Sequence, residues 1–330
     1  MSLFITILSA LVAAFFPSGE REPVWPEGRM PHASSAQIAA MTYETASADF
    51  RADDFRTPYL EWFDAPAQPN GTCMILISGG SYNNCCDQKL IEKWRKAFTE
   101  KGIQCVNFVY RTPRPEGLPY WQTAWEDGQR AVRVVRSQAA RRGFDPEKIG
   151  VCAMSAGGHL TLLLATSSLT PAYAPVDELD AVPCHINLAV VNAPAYVTSD
   201  ADSLGIPAPR GGYGPDITVS RVFHFDEKTC PMSLHHGGID IYSPNGSTLV
   251  YKKLYQMGVP AELHLYPDKG HGAHGFPQAV DFLARMGYLQ ADEPAPVSAV
   301  VSGDPVEAVN AWEADRAAGI QRELHVLLNK

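Results

Sequence analysis

Short apolar runs alternate with amphipathic segments along most of the chain, and this alternation predicts its secondary structure. Six runs are almost wholly apolar, as expected of strands buried on both faces of a sheet: 72–77, 104–110, 148–153, 186–191, 232–235 and 261–266. Apolar residues at helical spacing predict helices over 90–101, 121–141, 160–166 and 277–286. The repeated strand–helix order predicts an α/β fold with a mostly parallel central sheet and helices on both faces.

Three stretches depart from this order and predict the domain organisation. Residues 194–231 are rich in Gly, Pro and Asp and are long for a connection, so we expect a small lid-like insertion inside a main domain over 20–290. Residues 291–330 read as a linker and a C-terminal helical tail. Residues 3–16 are apolar and uncharged, but they are shorter than the ~20 residues that span a bilayer.

The N-terminal stretch predicts a signal peptide over residues 1–19. Ala13 and Ala14 are small residues near a plausible cleavage point. We therefore expect a secreted or periplasmic protein whose mature chain has no membrane span. A buried or frayed N-terminal helix is the alternative, because no Lys or Arg precedes the apolar stretch.

Composition excludes several classes of protein. Hydrophobic residues make up 45% and charged residues 19%, which is typical of a globular chain. The formal net charge of −9 argues against a nucleic-acid partner, which favours a basic patch or stripe. The seven cysteines show no repeated CxxC spacing, so they predict neither a zinc ribbon nor a disulfide framework. We expect no metal and no cofactor, and the oligomeric state is left open.

The stretch 149–160 has the arrangement of a nucleophile elbow. A strand ends, Ser155 stands on a tight turn between small residues, and a helix begins at once. Such a turn holds a serine hydroxyl above the sheet, at the N-terminus of the helix. The usual pattern is Gly-x-Ser-x-Gly, and here Ala153 occupies its first position, which is a mild departure. Ser155 is the candidate nucleophile.

A serine nucleophile needs a base, and the base needs a carboxylate that orients it. After an elbow of this kind the acid and the histidine follow in that order, each on a loop after a strand. Asp240 lies in the loop after strand 232–235, and His271, between two glycines, follows strand 261–266. Asp240 and His271 are therefore the candidate acid and base.

Other residues compete for these roles. His274 lies in a second glycine-rich context and is the alternative base, although it is further from the strand end. Asp268 and Asp202 are alternative acids, on the base's own loop and in the irregular insertion. His159, on the helix after the elbow, is interpreted as a packing or hydrogen-bonding residue. A zinc site is a further alternative, with His235, His236, His271, His274 and Asp240 as ligands, but their spacing matches no zincin pattern, which disfavours it.

Acyl transfer also needs hydrogen-bond donors for the developing oxyanion. The backbone NH of Ala156, at the start of the helix, is one candidate. Gly80 and Ser81 are the others, because they follow a central strand in a loop whose two glycines let the backbone approach a substrate. Tyr82 and His274 are candidate substrate-binding residues at the border of the pocket.

Together these segments resemble the α/β-hydrolase esterases, in particular the branch that contains bacterial acetyl xylan and feruloyl esterases. The resemblance covers roughly residues 55–287 and rests on SGGSY (78–82), MSAGGHL (154–160), HGGID (236–240) and GVPAELHLYP (258–267), which leads to GHG (270–272). It implies Ser155 as nucleophile, His271 as base and Asp240 as acid. Two departures are Ala153 and Ser78, which stands where relatives often carry His or Pro.

The leading hypothesis is a secreted serine carboxylesterase that removes acetyl or feruloyl groups from plant-type polysaccharide or its oligosaccharides. Its partner would be an ester-bearing carbohydrate or small molecule. Trp62, Trp121 and Trp125 offer faces for stacking on sugar rings, although helical spacing favours the core for the last two. The alternatives are an α/β-hydrolase of other specificity (an oligopeptidase, or a lipid or small-molecule esterase) and a non-catalytic carbohydrate-binding protein on this scaffold.

Overall fold

The described strands form one sheet, and their order in the sheet differs from their order along the chain. The candidate site lies at one edge of this sheet. The computed structural model describes residues 19–37, 56–85, 88–202 and 212–289. Eight strands lie in the order β1-β2-β4-β3-β5-β6-β7-β8. Their bounds are β1 Glu20–Pro23, β2 Tyr59–Trp62, β3 Cys73–Ile77, β4 Gln104–Val109, β5 Ile149–Met154, β6 Leu188–Asn192, β7 Met232–Gly237 and β8 Ala261–Tyr266. Strands β3 to β8 are parallel, which confirms the predicted α/β fold.

Helices follow most of the parallel strands along the chain. They are α1 Gln88–Thr99, α2 Gln122–Ser137, α3 Ala139–Arg142, α4 Ala156–Thr166, α5 Asn245–Gln256 and α6 Phe276–Arg285. The prediction of one helix over 121–141 was wrong, because α2 ends at Ser137 and the short α3 closes on Gly143 with a φ of 79°. The helix after the elbow begins at Ala156, one turn earlier than its apolar run suggested. Helix α5 was not predicted.

Two hydrophobic cores cover the two faces of the sheet. Along β3, Cys73, Ile75 and Ile77 belong to one core and Met74 and Leu76 to the other, because neighbouring side chains on a strand point to opposite faces. Apolar residues of α2, α4 and α5 complete the first core, and those of α1 and α6 complete the second. Burial on both faces explains why β3, β5 and β6 are mostly apolar, whereas the edge strand β8 is only partly buried and carries Glu262 and His264.

Strands β1 and β2 were not predicted. They pair antiparallel to each other, and β2 pairs antiparallel to β4. Their sequences are short and charged, so they carry no strong strand signal. Tertiary hydrogen bonds hold this segment instead: Trp62 Nε1 donates to Glu22 at 2.8 Å, and Trp25 Nε1 donates to buried Asp127 at 2.7 Å.

Some predictions fall outside the described residues. The signal peptide lies outside them except for Gly19, and the C-terminal tail lies outside them entirely. The described parts of the insertion, 194–202 and 212–231, contain one 3₁₀ turn, Ser199–Asp202, and a bridge between Thr198 and Val219. In the part of the chain that the structure describes, no helix has both the length and the apolarity to span a bilayer.

Candidate active site

Ser155 occupies a strained turn between β5 and α4. Its φ of 59° and ψ of −125° lie in a region that residues other than glycine rarely adopt. Surrounding hydrogen bonds fix this conformation: the NH of Ser155 donates to Asn192 O at 3.0 Å, and its carbonyl accepts from His159 N at 3.0 Å and from Ala195 N at 3.2 Å. The turn therefore holds the hydroxyl at the carboxyl edge of the sheet.

Glycines let neighbouring segments approach this turn closely. A Cβ on Gly157 would lie 2.5 Å from Ser78 O, and a Cβ on Gly79 would lie 2.8 Å from Ser155 Cβ. Real Cβ atoms do not approach this closely, so a larger residue at either position would push the loop after β3 away from Ser155. Ala153 is fully buried within β5, so the elbow accommodates the additional methyl group there.

The side chains of Ser155, His271 and Asp240 lie within hydrogen-bond distance of one another in the order that the sequence predicts. His271 Nε2 is 2.9 Å from Ser155 Oγ, and His271 Nδ1 is 3.0 and 2.9 Å from the two carboxylate oxygens of Asp240. An ionised carboxylate only accepts hydrogen bonds, so Nδ1 carries the proton and Nε2 is free to accept one from the serine hydroxyl. This is the protonation state that a general base requires.

The carboxylate of Asp240 is buried and well supplied with donors. The backbone NH of Tyr242 donates to it at 2.8 Å, and His236 Nε2 lies 3.4 Å from it. Burial alone would raise the pKa of Asp240, but the hydrogen bonds from His236, His271 and Tyr242 outweigh that effect and hold the pKa well below its usual range. Asp240 is therefore ionised at neutral pH.

His236 also belongs to the site, although the sequence predicts no role for it there. It is fully buried, its Nδ1 is 2.8 Å from Ser247 Oγ, and its Nε2 is 3.1 Å from the Tyr242 carbonyl. A carbonyl only accepts, so Nε2–H points at Tyr242 O and at the nearby carboxylate of Asp240. The sequence feature that could have indicated this role is the position of His236 at the end of a buried strand, four residues before the candidate acid.

The loop after β3 has an unusual backbone next to the elbow. Gly80, Ser81 and Tyr82 have φ values of 130°, 54° and 60°. A Cβ on Gly80 would lie 1.8 Å from Asn84 O, so the turn requires glycine there. Ala156 is the first residue of α4, and the NH at such a position has no partner within its own helix. The oxyanion roles of Gly80, Ser81 and Ala156 stay predictions.

Tyr82 and His159 connect this loop to the helix that carries the elbow. The Tyr82 hydroxyl is 2.7 Å from His159 Nδ1, and both side chains are almost fully buried. Burial lowers the pKa of His159 to about 3, so the ring is neutral. The rings of Tyr120, Trp121 and Phe223 surround it.

The competing candidates form hydrogen bonds with other groups. His274 Nε2 donates to the carbonyl of Gly270 at 3.0 Å, and its ring packs against Tyr266. Asp268 pairs with Lys269 at 2.9 Å on the surface, while Asp202 accepts from Ser220 and from the NH of Arg221. His271 is therefore the imidazole that contacts Ser155.

Two of the three candidate tryptophans are core residues. Trp62 is fully buried with its Nε1 on Glu22, and Trp125 is 8% exposed. Trp121 is partly exposed and packs edge-on against Tyr120. Within residues 19–37, 56–85, 88–202 and 212–289, no three His, Cys, Asp or Glu side chains are grouped to hold a metal ion.

Comparison with solved structures identifies the fold. An acetyl ester-xyloside bifunctional hydrolase from Caldicellulosiruptor lactoaceticus superposes with a TM-score of 0.61 at 21% identity, covering 83% of this chain and 98% of that one. The chain has the α/β-hydrolase fold. The BD-FAE family model matches residues 63–185, which run from the end of β2 through the elbow and α4.

Curated relatives of this chain include two esterases. Esterase LipQ of Mycobacterium tuberculosis is 29% identical over 187 residues, which is 51% of this chain and 42% of the relative. Acetylxylan esterase of Xylanibacter ruminicola is 24% identical over 220 residues, which is 63% of this chain and 42% of the relative. The chain spans less than half the length of the curated relatives it matches.

Proposed function

We propose that this α/β-hydrolase is a serine carboxylesterase with Ser155 as nucleophile, His271 as general base and Asp240 as the orienting acid. One observation carries the proposal: the imidazole of His271 bridges Ser155 Oγ and the buried carboxylate of Asp240, at 2.9 Å on each side. The similarity to curated esterases supports it.

The geometry suits the two steps of ester hydrolysis. Ser155 Oγ attacks the ester carbonyl while His271 Nε2 takes its proton, and Asp240 stabilises the imidazolium that forms. The NH groups of Ala156 and of Gly80 or Ser81 are the donors for the oxyanion. His271 then protonates the leaving alcohol. In the second step it activates a water molecule, which releases the acid and restores Ser155.

The proposed substrates are acetyl or feruloyl esters of plant-type polysaccharide or its oligosaccharides. Two of the similar proteins support this choice, since one is named an acetylxylan esterase and the other an acetyl ester-xyloside hydrolase. The apolar stretch at residues 3–16 supports export of the enzyme to where such material lies. The likeness to Esterase LipQ keeps small-molecule esters as the second candidate class.

Hydrolysis of 4-nitrophenyl acetate tests the chemistry. We expect the wild-type protein to hydrolyse 4-nitrophenyl acetate, and Ser155→Ala to lose roughly 10⁴-fold or more in kcat. Ser137→Ala is the matched control, because Ser137 is an exposed serine at the end of α2 whose hydroxyl donates to Val134 O at 2.8 Å. Retention of wild-type activity by Ser155→Ala would overturn the nucleophile.

Acetylated xylo-oligosaccharides and methyl ferulate test the substrate class. We expect a higher kcat/KM on one of them than on a 4-nitrophenyl ester of a longer fatty acid. A preference for the fatty ester would instead identify a lipid or small-molecule esterase with the same triad.

A further inference from the structure

The backbone around His271 is held differently from that around Ser155 and Asp240. The NH of Ser155 donates to Asn192 O at 3.0 Å, and the NH of Asp240 donates to Gly237 O at 3.3 Å. Residues 270–274 carry His271 between β8 and α6. Within the part of the chain that the structure describes, no backbone–backbone hydrogen bond involves any of these five residues. The position of His271 therefore depends on side-chain contacts.

The side chain of His274 makes such a contact. Its Nε2 is 3.0 Å from Gly270 O, and a carbonyl only accepts hydrogen bonds, so Nε2 carries a proton and donates it. The bond spans the segment from residue 274 back to residue 270. The peptide unit between Gly270 and His271 is planar and includes the Cα of His271. A donor that fixes the Gly270 carbonyl therefore fixes the plane from which His271 projects.

The ring of His274 rests in turn on Tyr266. The two ring centroids are 5.6 Å apart. Gly275, the next residue, has a φ of 69°, and a Cβ there would overlap the Tyr266 hydroxyl. The backbone beside His274 thus lies directly on the end of the Tyr266 side chain. The place of the His274 ring is therefore set by the place of Tyr266.

A chain of hydrogen bonds with a defined direction holds Tyr266. A carboxylate only accepts, so the Ser233 hydroxyl donates to Glu262 at 2.6 Å and must accept from His235 Nε2 at 2.8 Å. Burial lowers the pKa of His235 to about 4, so the ring is neutral at pH 7 and its Nδ1 accepts. The Tyr266 hydroxyl donates to this Nδ1 at 3.0 Å. Tyr266 is thereby tied to a fully buried side chain of β7.

We propose that His274 is a positioning residue, which holds the Gly270 carbonyl so that the imidazole of His271 faces Ser155 Oγ and Asp240. The proposal rests on the proposed esterase function, in which His271 takes the proton of Ser155 and then gives it to the leaving alcohol. Both transfers need a short, aligned contact, and a misplacement of about 1 Å can cost about 10²-fold in rate.

Three variants of His274 isolate its donor. Glutamine carries an amide NH at a reach similar to that of Nε2, methionine has a similar length without a donor, and asparagine is one carbon shorter. We expect His274→Met and His274→Asn to lower kcat/KM on phenyl acetate by about 10- to 100-fold. His274→Gln should stay within about 3-fold of wild type, because it restores the donor.

A second histidine provides the matched control. His185, like His274, is partly exposed, and its Nε2 lies 3.7 Å from Glu147. It precedes the amino end of β6, whereas Ser155 N bonds to Asn192 at the carboxyl end of the same strand. We expect His185→Leu to keep the kcat/KM of wild type.

Two acetates show whether the loss acts through His271. Phenyl acetate and 4-nitrophenyl acetate form the same acetyl-enzyme, but phenoxide is the more basic leaving group and needs more proton transfer from His271 as it departs. We therefore expect His274→Met to lower kcat/KM more on phenyl acetate than on 4-nitrophenyl acetate. Loss of packing alone would lower the thermal midpoint and affect both substrates equally.

The outcomes separate this role from the esterase function. Equal kcat/KM in His274→Met and His274→Gln would show that the donor is not needed and would overturn the proposal. Equal losses on the two acetates would also overturn it, because the effect would then not act through proton transfer. If His274→Met does not fold, His274→Asn against His274→Gln makes the same comparison between two amides. If the wild-type protein cleaves neither acetate, the esterase function itself fails.

Discussion

The two sides of the candidate site are built from different interactions. The acid–base side, formed by the loops after β7 and β8, rests on hydrogen bonds to a charge: Asp240 accepts from His271, from the NH of Tyr242 and from His236. The other side, formed by the loop after β3 and the start of α4, is called the oxyanion side after its proposed role, and it rests on backbone shape and on neutral contacts. Gly79 fits against Ser155, and neutral His159 bonds Tyr82.

This contrast indicates how each side should fail. A hydrogen-bonded charge is less well held when a donor is removed, but it tolerates small shifts in the surrounding atoms. A backbone held by close approach tolerates no added volume, because buried segments in contact have no space to give. The acid–base side should therefore respond to changes in chemistry, and the oxyanion side to changes in size.

The largest expected effect is on the acid–base side, on removal of the imidazole. We expect His271→Ala to lower kcat by about 10⁴- to 10⁶-fold, because Ser155 then has no base. Steady-state kinetics on 4-nitrophenyl acetate measures the change. Ser137→Ala is again the control, and His274→Ala tests the alternative base, since the His274 ring donates to Gly270 O. A larger loss in His274→Ala than in His271→Ala would reverse the assignment of the base.

A single methyl group tests the oxyanion side. We expect Gly79→Ala to lower kcat by about 10²- to 10³-fold, the scale of a lost oxyanion donor, because its Cβ would lie 2.8 Å from Ser155 Cβ and displace the loop. Gly214→Ala is the matched control, since a Cβ there comes no closer than 3.4 Å to Ile217. Near-normal kcat in Gly79→Ala would show that the loop tolerates displacement.

The sequence predicted the central architecture because its signals are local. Buried strands are predominantly apolar runs, and each of the six predicted runs overlaps one of β3 to β8. Strands β1 and β2 have no such signal, because each is only four residues long and contains charged residues. They are held together by contacts between distant parts of the chain, such as the hydrogen bond from Trp62 Nε1 in β2 to Glu22 in β1. The break between α2 and α3 was missed because helical periodicity continues across it.

The same distinction separates the residues of the site. The order of Ser155, Asp240 and His271 along the chain, each after a strand, is visible in the sequence and brings them together in the structure. The supporting residues carry no comparable signal. His159 and His236 are core histidines, and their sequence positions indicate no more than that. Only the fold shows that their ring nitrogens reach Tyr82 and Asp240.

The contact between neutral His159 and Tyr82 on the oxyanion side predicts that the stability of the protein depends on pH. Burial lowers the pKa of His159 to about 3 in the folded protein, whereas the unfolded chain takes up a proton near pH 6.5. Between these values the unfolded state binds more protons, so stability falls as pH falls. From pH 7 to pH 5 the loss from this residue is about 2 kcal/mol.

Two variants isolate this contribution in urea unfolding at pH 7 and pH 5. His159→Phe should show a pH dependence smaller by about 2 kcal/mol, because the titrating group is absent. Tyr82→Phe removes the same hydrogen bond but keeps the buried histidine, so it should lose about 1 kcal/mol at both pH values and keep the dependence. A pH dependence in His159→Phe equal to that of wild type would show that His159 is protonated while folded.

The smallest expected effect is on the acid–base side, on removal of His236, which donates to Asp240. His236→Leu removes the Nε2–H that faces Asp240 and the Tyr242 carbonyl, but it leaves the donors His271 and Tyr242 NH in place. We therefore expect kcat to fall about 10-fold with KM unchanged, as for the loss of one charge-assisted hydrogen bond among three.

Ser247→Ala separates positioning of Asp240 from packing around His236. It removes the hydrogen bond at His236 Nδ1, 2.8 Å away, and keeps the ring and its Nε2–H. We expect a loss smaller than that of His236→Leu, with both variants folded by circular dichroism. If His236→Leu changes only the thermal midpoint and leaves kcat as in wild type, the two remaining donors suffice to hold Asp240. The acid–base side would then tolerate the loss of a donor as well as small shifts of the surrounding atoms. Activity would be sensitive only to added side-chain volume on the oxyanion side.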